Sequence, residues 1–146
     1  MDKNVKIAKE LVKLAKSLMA EENVANQPGH YENFTGRIQY KDSFGTVTRA
    51  TFELKDDTDE SIVWKNGIWE RGAWHGGIWE KGHWENGIWW DGTWKKGTWS
   101  DGKWLGGTWE NGEWLSGTWK GGIWKTGRDS NMEVHLKGDS PDKWNE

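Results

Sequence analysis

The spacing of hydrophobic positions changes twice along this chain. Between residues 3 and 20, Val5, Ala8, Leu11, Val12, Ala15, Leu18 and Met19 recur at three- and four-residue steps, and Lys6, Lys9, Lys13 and Lys16 fall on the opposite side. That period predicts an amphipathic helix with one apolar stripe and one basic face. Further on, Ile38 and Tyr40, then Thr46, Thr48, Ala50, Phe52 and Leu54, alternate around Asp42–Gly45. Alternation of period two around a glycine-bearing break predicts a β-hairpin.

From Trp64 the period becomes five and stays five. The series is Trp64, Trp69, Trp74, Trp79, Trp84, Trp89, Trp94, Trp99, Trp104, Trp109, Trp114, Trp119 and Trp124. Between them sit Gly67, Gly72, Gly77, Gly82, Gly87, Gly92, Gly97, Gly102, Gly107, Gly112, Gly117 and Gly122, each two residues before the next tryptophan. The unit is Trp-x-x-Gly-x, without insertion or deletion, and its tryptophans form the expected core ladder. A five-residue period fits neither regular element. In a straight strand Trp64 and Trp69 would face opposite ways, and in an α-helix successive rings would spiral around the axis. The chain must turn once per unit. Asn66-Gly67, Asn86-Gly87, Asp91-Gly92, Asp101-Gly102 and Asn111-Gly112 supply turn dipeptides. The residue before tryptophan is mostly β-branched, as at Val63, Ile68, Ile78, Thr93 and Thr108, which suits a short extended segment. One corner and one short strand per pentad describe a coil with flat sides.

With that spacing the segment resembles the pentapeptide-repeat proteins, which wind into a right-handed square β-helix of four pentads per coil. Tryptophan stands here at the family's inward central position and glycine at its small inward position, although the family's usual Ala-Asp/Asn-Leu residues are absent. The resemblance implies a mainly β fold: a right-handed quadrilateral β-solenoid of about three coils, with an N-terminal amphipathic helix and a β-hairpin cap. In that arrangement Lys65 lies under Glu85, and Glu80, Ser100 and Lys120 stack. The expected organisation is a helix for capping, docking or packaging at 1–22, a linker and hairpin cap at 23–60, the solenoid at 61–127, and a C-terminal strand and tail at 128–146. Met132–Leu136 is the expected strand, and Trp144 belongs to the tail.

The composition supports inward tryptophan. The remaining pentad positions are chiefly Lys, Glu, Asn, Asp, Thr and Gly, so no other residue type could make a core. A buried indole removes roughly 150–250 Å² from water, on the order of 4–6 kcal/mol. Each indole N–H then needs an acceptor, and backbone carbonyls bared by the glycines are the available ones.

Net charge is −3 and no cysteine is present, which argues against a nucleic-acid partner and excludes disulfides or thiolate metal sites. The sequence has no stretch of 18 apolar residues for a membrane span and no continuous apolar core for a secretory signal. His30, His75, His83 and His135 lack metal-ligand spacing, and none of the nucleophile, phosphate-loop or dinucleotide motifs occurs. Asp56–Glu60 reads as a solvated loop. No cofactor or catalytic residue is expected, and the function expected is structural.

Three readings of the partners follow. Trp90 doubles Trp89 and points outward in the coil, and with Leu105 and Leu115 at equivalent pentad positions it is the candidate contact surface. The N-terminal helix, through Val5, Leu11, Val12 and Leu18, is a candidate docking element. It resembles short Lys-rich leaders of tailed-phage virion proteins, with Met19-Ala20-Glu21 similar to sites cut by prohead proteases. That resemblance implies a virion or tail component in the particle or host cytoplasm, joined to other subunits or to itself. The alternative is a carbohydrate- or membrane-surface-binding module, because the Trp/Gly units also resemble MORN-repeat hairpins.

Overall fold

The computed structural model describes residues 6–11, 23–56 and 61–144. Four strands lead into the repeat: β1 (Val24–Ala25), β2 (Gly29–Tyr40), β3 (Ser43–Leu54) and β4 (Ile62–Trp74). β2 and β3 form the expected hairpin, turning at Lys41–Asp42, and β3 pairs antiparallel with β4. The hairpin is longer than its alternation predicts. Residues 23–30, the start of the segment expected as linker and hairpin cap, contribute β1, which pairs parallel with β2, and the start of β2 itself. Register shifts between Tyr31 and Gly36 interrupt the alternation there, which hides this half of the strand from a period-two reading.

From β4 onward the chain is the expected mainly β solenoid, built from two-residue strands such as Ile78–Trp79, Thr93–Trp94 and Ile123–Trp124. Its winding differs from expectation. Strands pair in parallel at a separation of fifteen residues: Trp64 with Trp79, Trp79 with Trp94, Trp94 with Trp109, and Trp109 with Trp124. Fifteen residues are three pentads, so the circuit has three sides, and Trp64 to Trp124 spans four circuits rather than about three. At ~4.8 Å per strand spacing this part of the body is about 19 Å tall. The expected stacking of Lys65 under Glu85 gives way to an alternating column of Lys65, Glu80, Lys95, Glu110 and Lys125.

Ring volume explains three sides. Consecutive tryptophans meet edge to face at 5.7 to 5.9 Å, as at Trp69/Trp74 and Trp94/Trp99. Three indoles in this contact already fill the tube, and a fourth would widen it and open a void. Along the axis the same rings lie flat on one another, from 4.7 Å for Trp79/Trp94 to 5.2 Å for Trp69/Trp84. The core ladder is therefore three columns and not the four of a square coil. The first runs from Trp64 to Trp124 as paired above. The second is Trp69, Trp84, Trp99 and Trp114, and the third is Trp74, Trp89, Trp104 and Trp119. All thirteen rings are buried as expected; Trp84 is fully enclosed, and Trp119, the last ring of its column, is 6% exposed.

One column runs on into both caps. Tyr31 stacks on Phe52 at 4.9 Å and Phe52 on Trp64 at 5.8 Å. At the far end Trp144 meets Trp124 edge to face at 5.3 Å. The expected C-terminal strand is Val134–His135, antiparallel to Gly127–Arg128, and it folds back across the last circuit.

The glycines carry positive φ at every inward small position from Gly67 to Gly122, between 97° and 132°. Stacking adds a second requirement. A Cβ on Gly97 would lie 2.3 Å from the carbonyl oxygen of Gly82, one circuit earlier, and 3.2 Å from Trp79 Nε1. Indole edges thus abut the glycine corners, and there they find acceptors. Trp94 Nε1 donates to Asn111 O and Trp109 Nε1 to Thr126 O, both at 3.1 Å, and Trp124 Nε1 donates to His135 O at 3.0 Å. Eight further indole N–H groups, among them Trp64, Trp79, Trp84 and Trp99, are buried without an acceptor in bonding geometry. The carbonyls bared at the corners, the available acceptors, therefore serve only part of the ladder. An unmet N–H costs about 1–3 kcal/mol, less than the ~4–6 kcal/mol that each ring contributes by burial, so burial wins.

Two pairs of substitutions check this account. Trp94→Ala should lower the unfolding free energy by about 3–5 kcal/mol in urea melts, whereas Trp90→Ala should cost under ~1 kcal/mol. Gly77→Ala, at φ 122° with a carbonyl 2.1 Å from the new Cβ, should cost at least ~2 kcal/mol, while its neighbour Gly76→Ala, with nothing within 4 Å, should be near neutral.

Candidate interaction surfaces

Because the core consumes tryptophan and glycine, any recognition by the solenoid itself must come from the outward positions of the pentads. The residue after tryptophan points outward, and the three-sided winding sorts these residues into three columns. Backbone bonds from Trp90 N to Trp74 O, Leu105 N to Trp89 O and Lys120 N to Trp104 O align His75, Trp90, Leu105 and Lys120 on one face. The second column holds Glu70, Glu85, Ser100 and Leu115, and the third is the Lys/Glu ladder. The structure therefore brings Trp90 and Leu105 together and puts Leu115 on a different face. Equivalence within the pentad puts all three outward, but only residues fifteen apart share a face.

Trp90 is 46% exposed, and one face of its ring rests on the His75 imidazole at 5.2 Å and 18°. Leu105 lies one circuit further along the same column. The corner beside this face is nearly bare. Its positions are Gly76, Asp91, Gly106 and Gly121, against Asn66, Lys81, Lys96, Asn111 and Thr126 at one of the other corners. None of these three glycines has positive φ, and the added Cβ would meet at most one backbone oxygen, at 3.2 Å for Gly106. Backbone geometry does not demand glycine at Gly76 or Gly121. Its effect is to leave the main chain accessible next to the exposed indole.

A second surface lies at the C-terminal cap, and sequence spacing did not reveal it. His135 Nε2 is 2.9 Å from Asp129 Oδ2, and its Nδ1 is 2.7 Å from Asp139 Oδ2. The ring also stacks on Trp144 at 4.0 Å. Asp129 is fixed in turn, its Oδ1 accepting from the N–H groups of Asn131 and Glu133 at 2.8 and 3.1 Å. The carboxylates lie six residues before and four after His135, and only the hairpin from Gly127 to His135 brings the first of them back. Asp129, Glu133 and His135 place ligand-type atoms within 4.8 Å of one another, but both ring nitrogens already face carboxylates. The arrangement is an ion-pair clamp on the cap. It borders a depression of about 400 Å³ that Leu115 and Trp144 also line.

The clamp shifts both partners. Burial works against protonation of His135, yet the bonds to Asp129 and Asp139 and their charges raise its pKa above the ordinary 6.5. The bond from His135 holds Asp129 below its ordinary 3.8; burial opposes this, and the N–H groups of Glu133 and Asn131 reinforce it.

Of the candidate docking helix, residues 6–11 are helical, and Ile7 and Leu11 are 51% and 60% exposed. Val5, Val12 and Leu18 lie outside the described residues, as do positions 57–60 of the acidic loop. Among the described residues no helix is long and apolar enough to cross a membrane. The chain matches no protein-family model, no curated protein and no solved structure.

The clamp makes the cap sensitive to pH, with signs that follow from the two shifts. The raised pKa of His135 contributes stability that is complete below pH 6.5 and is lost as pH rises through its folded value. The lowered pKa of Asp129 contributes stability that is complete above pH 3.8 and is lost as pH falls through its folded value. Protection of the amides at residues 127–144, taken relative to their intrinsic exchange at each pH, should therefore be greatest between these limits and fall on both sides. His135→Gln should remove the change on the alkaline side.

Proposed function

We propose that this protein is a non-enzymatic structural component, a short rigid rod that spaces or joins other proteins in an assembly. The observation that carries this reading is the aromatic column from Tyr31 through Phe52 and Trp64 to Trp124 and Trp144, which closes both ends with the chain's own rings. A solenoid sealed in this way does not lengthen by stacking end on end, so its contacts must be lateral. The Trp90 face and its bare corner supply such a contact, and the exposed apolar positions of the N-terminal helix, Ile7 and Leu11, supply another. Partners are therefore protein subunits, including further copies of this chain, and no cofactor is required.

Two finer readings belong with this proposal. Kinship to pentapeptide-repeat proteins rests on the pentad and its inward glycine, with a three-sided winding as the departure. A place in a tailed-phage virion or tail rests on the Lys-rich N-terminal segment and its Met19-Ala20-Glu21 sequence. The alternative, a carbohydrate- or membrane-binding platform, is weaker on physical grounds. Thirteen of the fifteen indoles are internal, and one face of the exposed Trp90 ring is already stacked on His75.

Size fractionation of a native extract, with quantitation of this chain, tests the proposal. We expect the protein at fixed stoichiometry in a large assembly. A Trp90→Glu/Leu105→Glu variant should be released from that assembly while its melting temperature stays within a few degrees of wild type. Recovery of the wild type as a free monomer that binds glycans or vesicles would instead support the platform reading and overturn this one.

A further inference from the structure

We propose that the outer face of the capping sheet is a binding site for an oxyanion carried on a flat apolar group, such as a carboxylate or phosphate attached to an aromatic ring. Arg37, Thr46 and Arg71 lie in one row across three adjacent strands, Arg37 opposite Thr46 and Thr46 opposite Arg71. Neighbouring strands are ~4.8 Å apart, so the two arginine Cα atoms are separated by roughly 10 Å. Both side chains are exposed, and neither guanidinium has a hydrogen bond or ion pair among the described residues. Phe44 is paired with Gln39 at the next outward position of the same strands. Its ring is 57% exposed.

These residues line a shallow depression of about 430 Å³ whose only charged side chains, among the described residues, are the two arginines. That is a departure for a chain of net charge −3. The strand ladder holds the two cations at a set separation, close enough for both forks to reach one anion above Thr46. Planar guanidinium groups match carboxylate and phosphate oxygens two bonds at a time. The Thr46 hydroxyl can add a donor between them. Phe44 supplies a flat apolar surface at one side of the anion, which favours a ring on the ligand over a bare ion. Gly45 keeps the row in place from beneath, since a Cβ there would lie 2.4 Å from the Trp69 ring. The site thus sits on the first circuit of the core and needs no conformational change to form. It is independent of the Trp90 face and of the structural role proposed above.

The test is a titration of the full chain with phenyl phosphate, phenylacetate, inorganic phosphate and benzyl alcohol, read by amide chemical shifts at Gly45, Thr46 and Gly72. We expect saturable shifts with at least one of the two aromatic anions, and the tighter of the two identifies phosphate or carboxylate as the preferred group. Inorganic phosphate should bind at least tenfold more weakly, and benzyl alcohol should not saturate. Arg37→Gln and Arg71→Gln should each weaken the aromatic anion by at least tenfold. Phe44→Ala should reduce it to the level of inorganic phosphate. All three substitutions are on the surface, and unchanged tryptophan emission confirms the fold. Failure of both aromatic anions to saturate, or equal affinity in the Arg37→Gln/Arg71→Gln double variant, would overturn the proposal.

Discussion

Everything in the solenoid depends on one indole lying flat against the indole fifteen residues earlier. That contact sets the register of the parallel strands, because a shift by a single residue would bring an outward lysine or glutamate against a ring. It also explains why the inward position tolerates no variation across thirteen units, and why the neighbouring small position is glycine at twelve consecutive corners. The indole edge of one circuit and the glycine backbone of the next occupy the same space. Neither could be enlarged without displacing the other.

The same contact decides the ends. A stack of flat rings exposes one face at each terminus, and an exposed indole face invites another copy of the stack. Here the chain covers both faces. At the start, Phe52 and Tyr31 continue the column with smaller rings carried on antiparallel strands. At the finish, Trp144 turns edge-on against Trp124 and so ends the stacking geometry. The Asp129–His135–Asp139 clamp holds this last segment in place. The imidazole ties the returning strand to Trp144 through a ring stack and to two carboxylates through its nitrogens. His135 and Asp129 are largely buried but Asp139 is half exposed. A cap held partly by a solvent-screened charge is weaker than the core it covers, so opening should begin at this end.

Much of this could be read from residue order, and the part that could not has a definite cause. A five-residue period says what each pentad does: Trp79 inward, Gly82 at the corner, Glu80 outward. It does not say how sharply the corner bends. The bend is set by how many indoles meet across the tube, a property of ring volume and edge-to-face geometry that no local pattern encodes. The winding therefore came out at three sides and not four, and with it changed every inference about neighbouring columns. Trp84, for example, stacks on Trp69 and not on Trp64, and Trp119 on Trp104 and not on Trp99. Trp90 kept its outward position, but its column neighbours became His75 and Leu105 in place of Glu70 and Glu110. The hairpin was legible where Ile38, Tyr40, Phe52 and Leu54 alternate, and obscure from Gly29 to Gly36, where bulges break the alternation. The clamp was invisible because Asp129 and His135 meet only across a turn.

A fixed inside leaves the outside free to differ from face to face, and the differences are not random. The first face carries alternating Lys and Glu. The second carries Glu70 and Glu85, with Glu70 accepting a bond from Thr48 of the cap. On the third the residue after tryptophan becomes His75, Trp90 and Leu105, and the adjoining corner sheds its side chains. Glycine at Gly76 is not explained by the backbone, which has open space for a larger residue there. A polar solvated corner would also be better served by Asn or Lys, as at Asn66 and Lys81. What distinguishes this corner is a bared main chain beside an exposed indole.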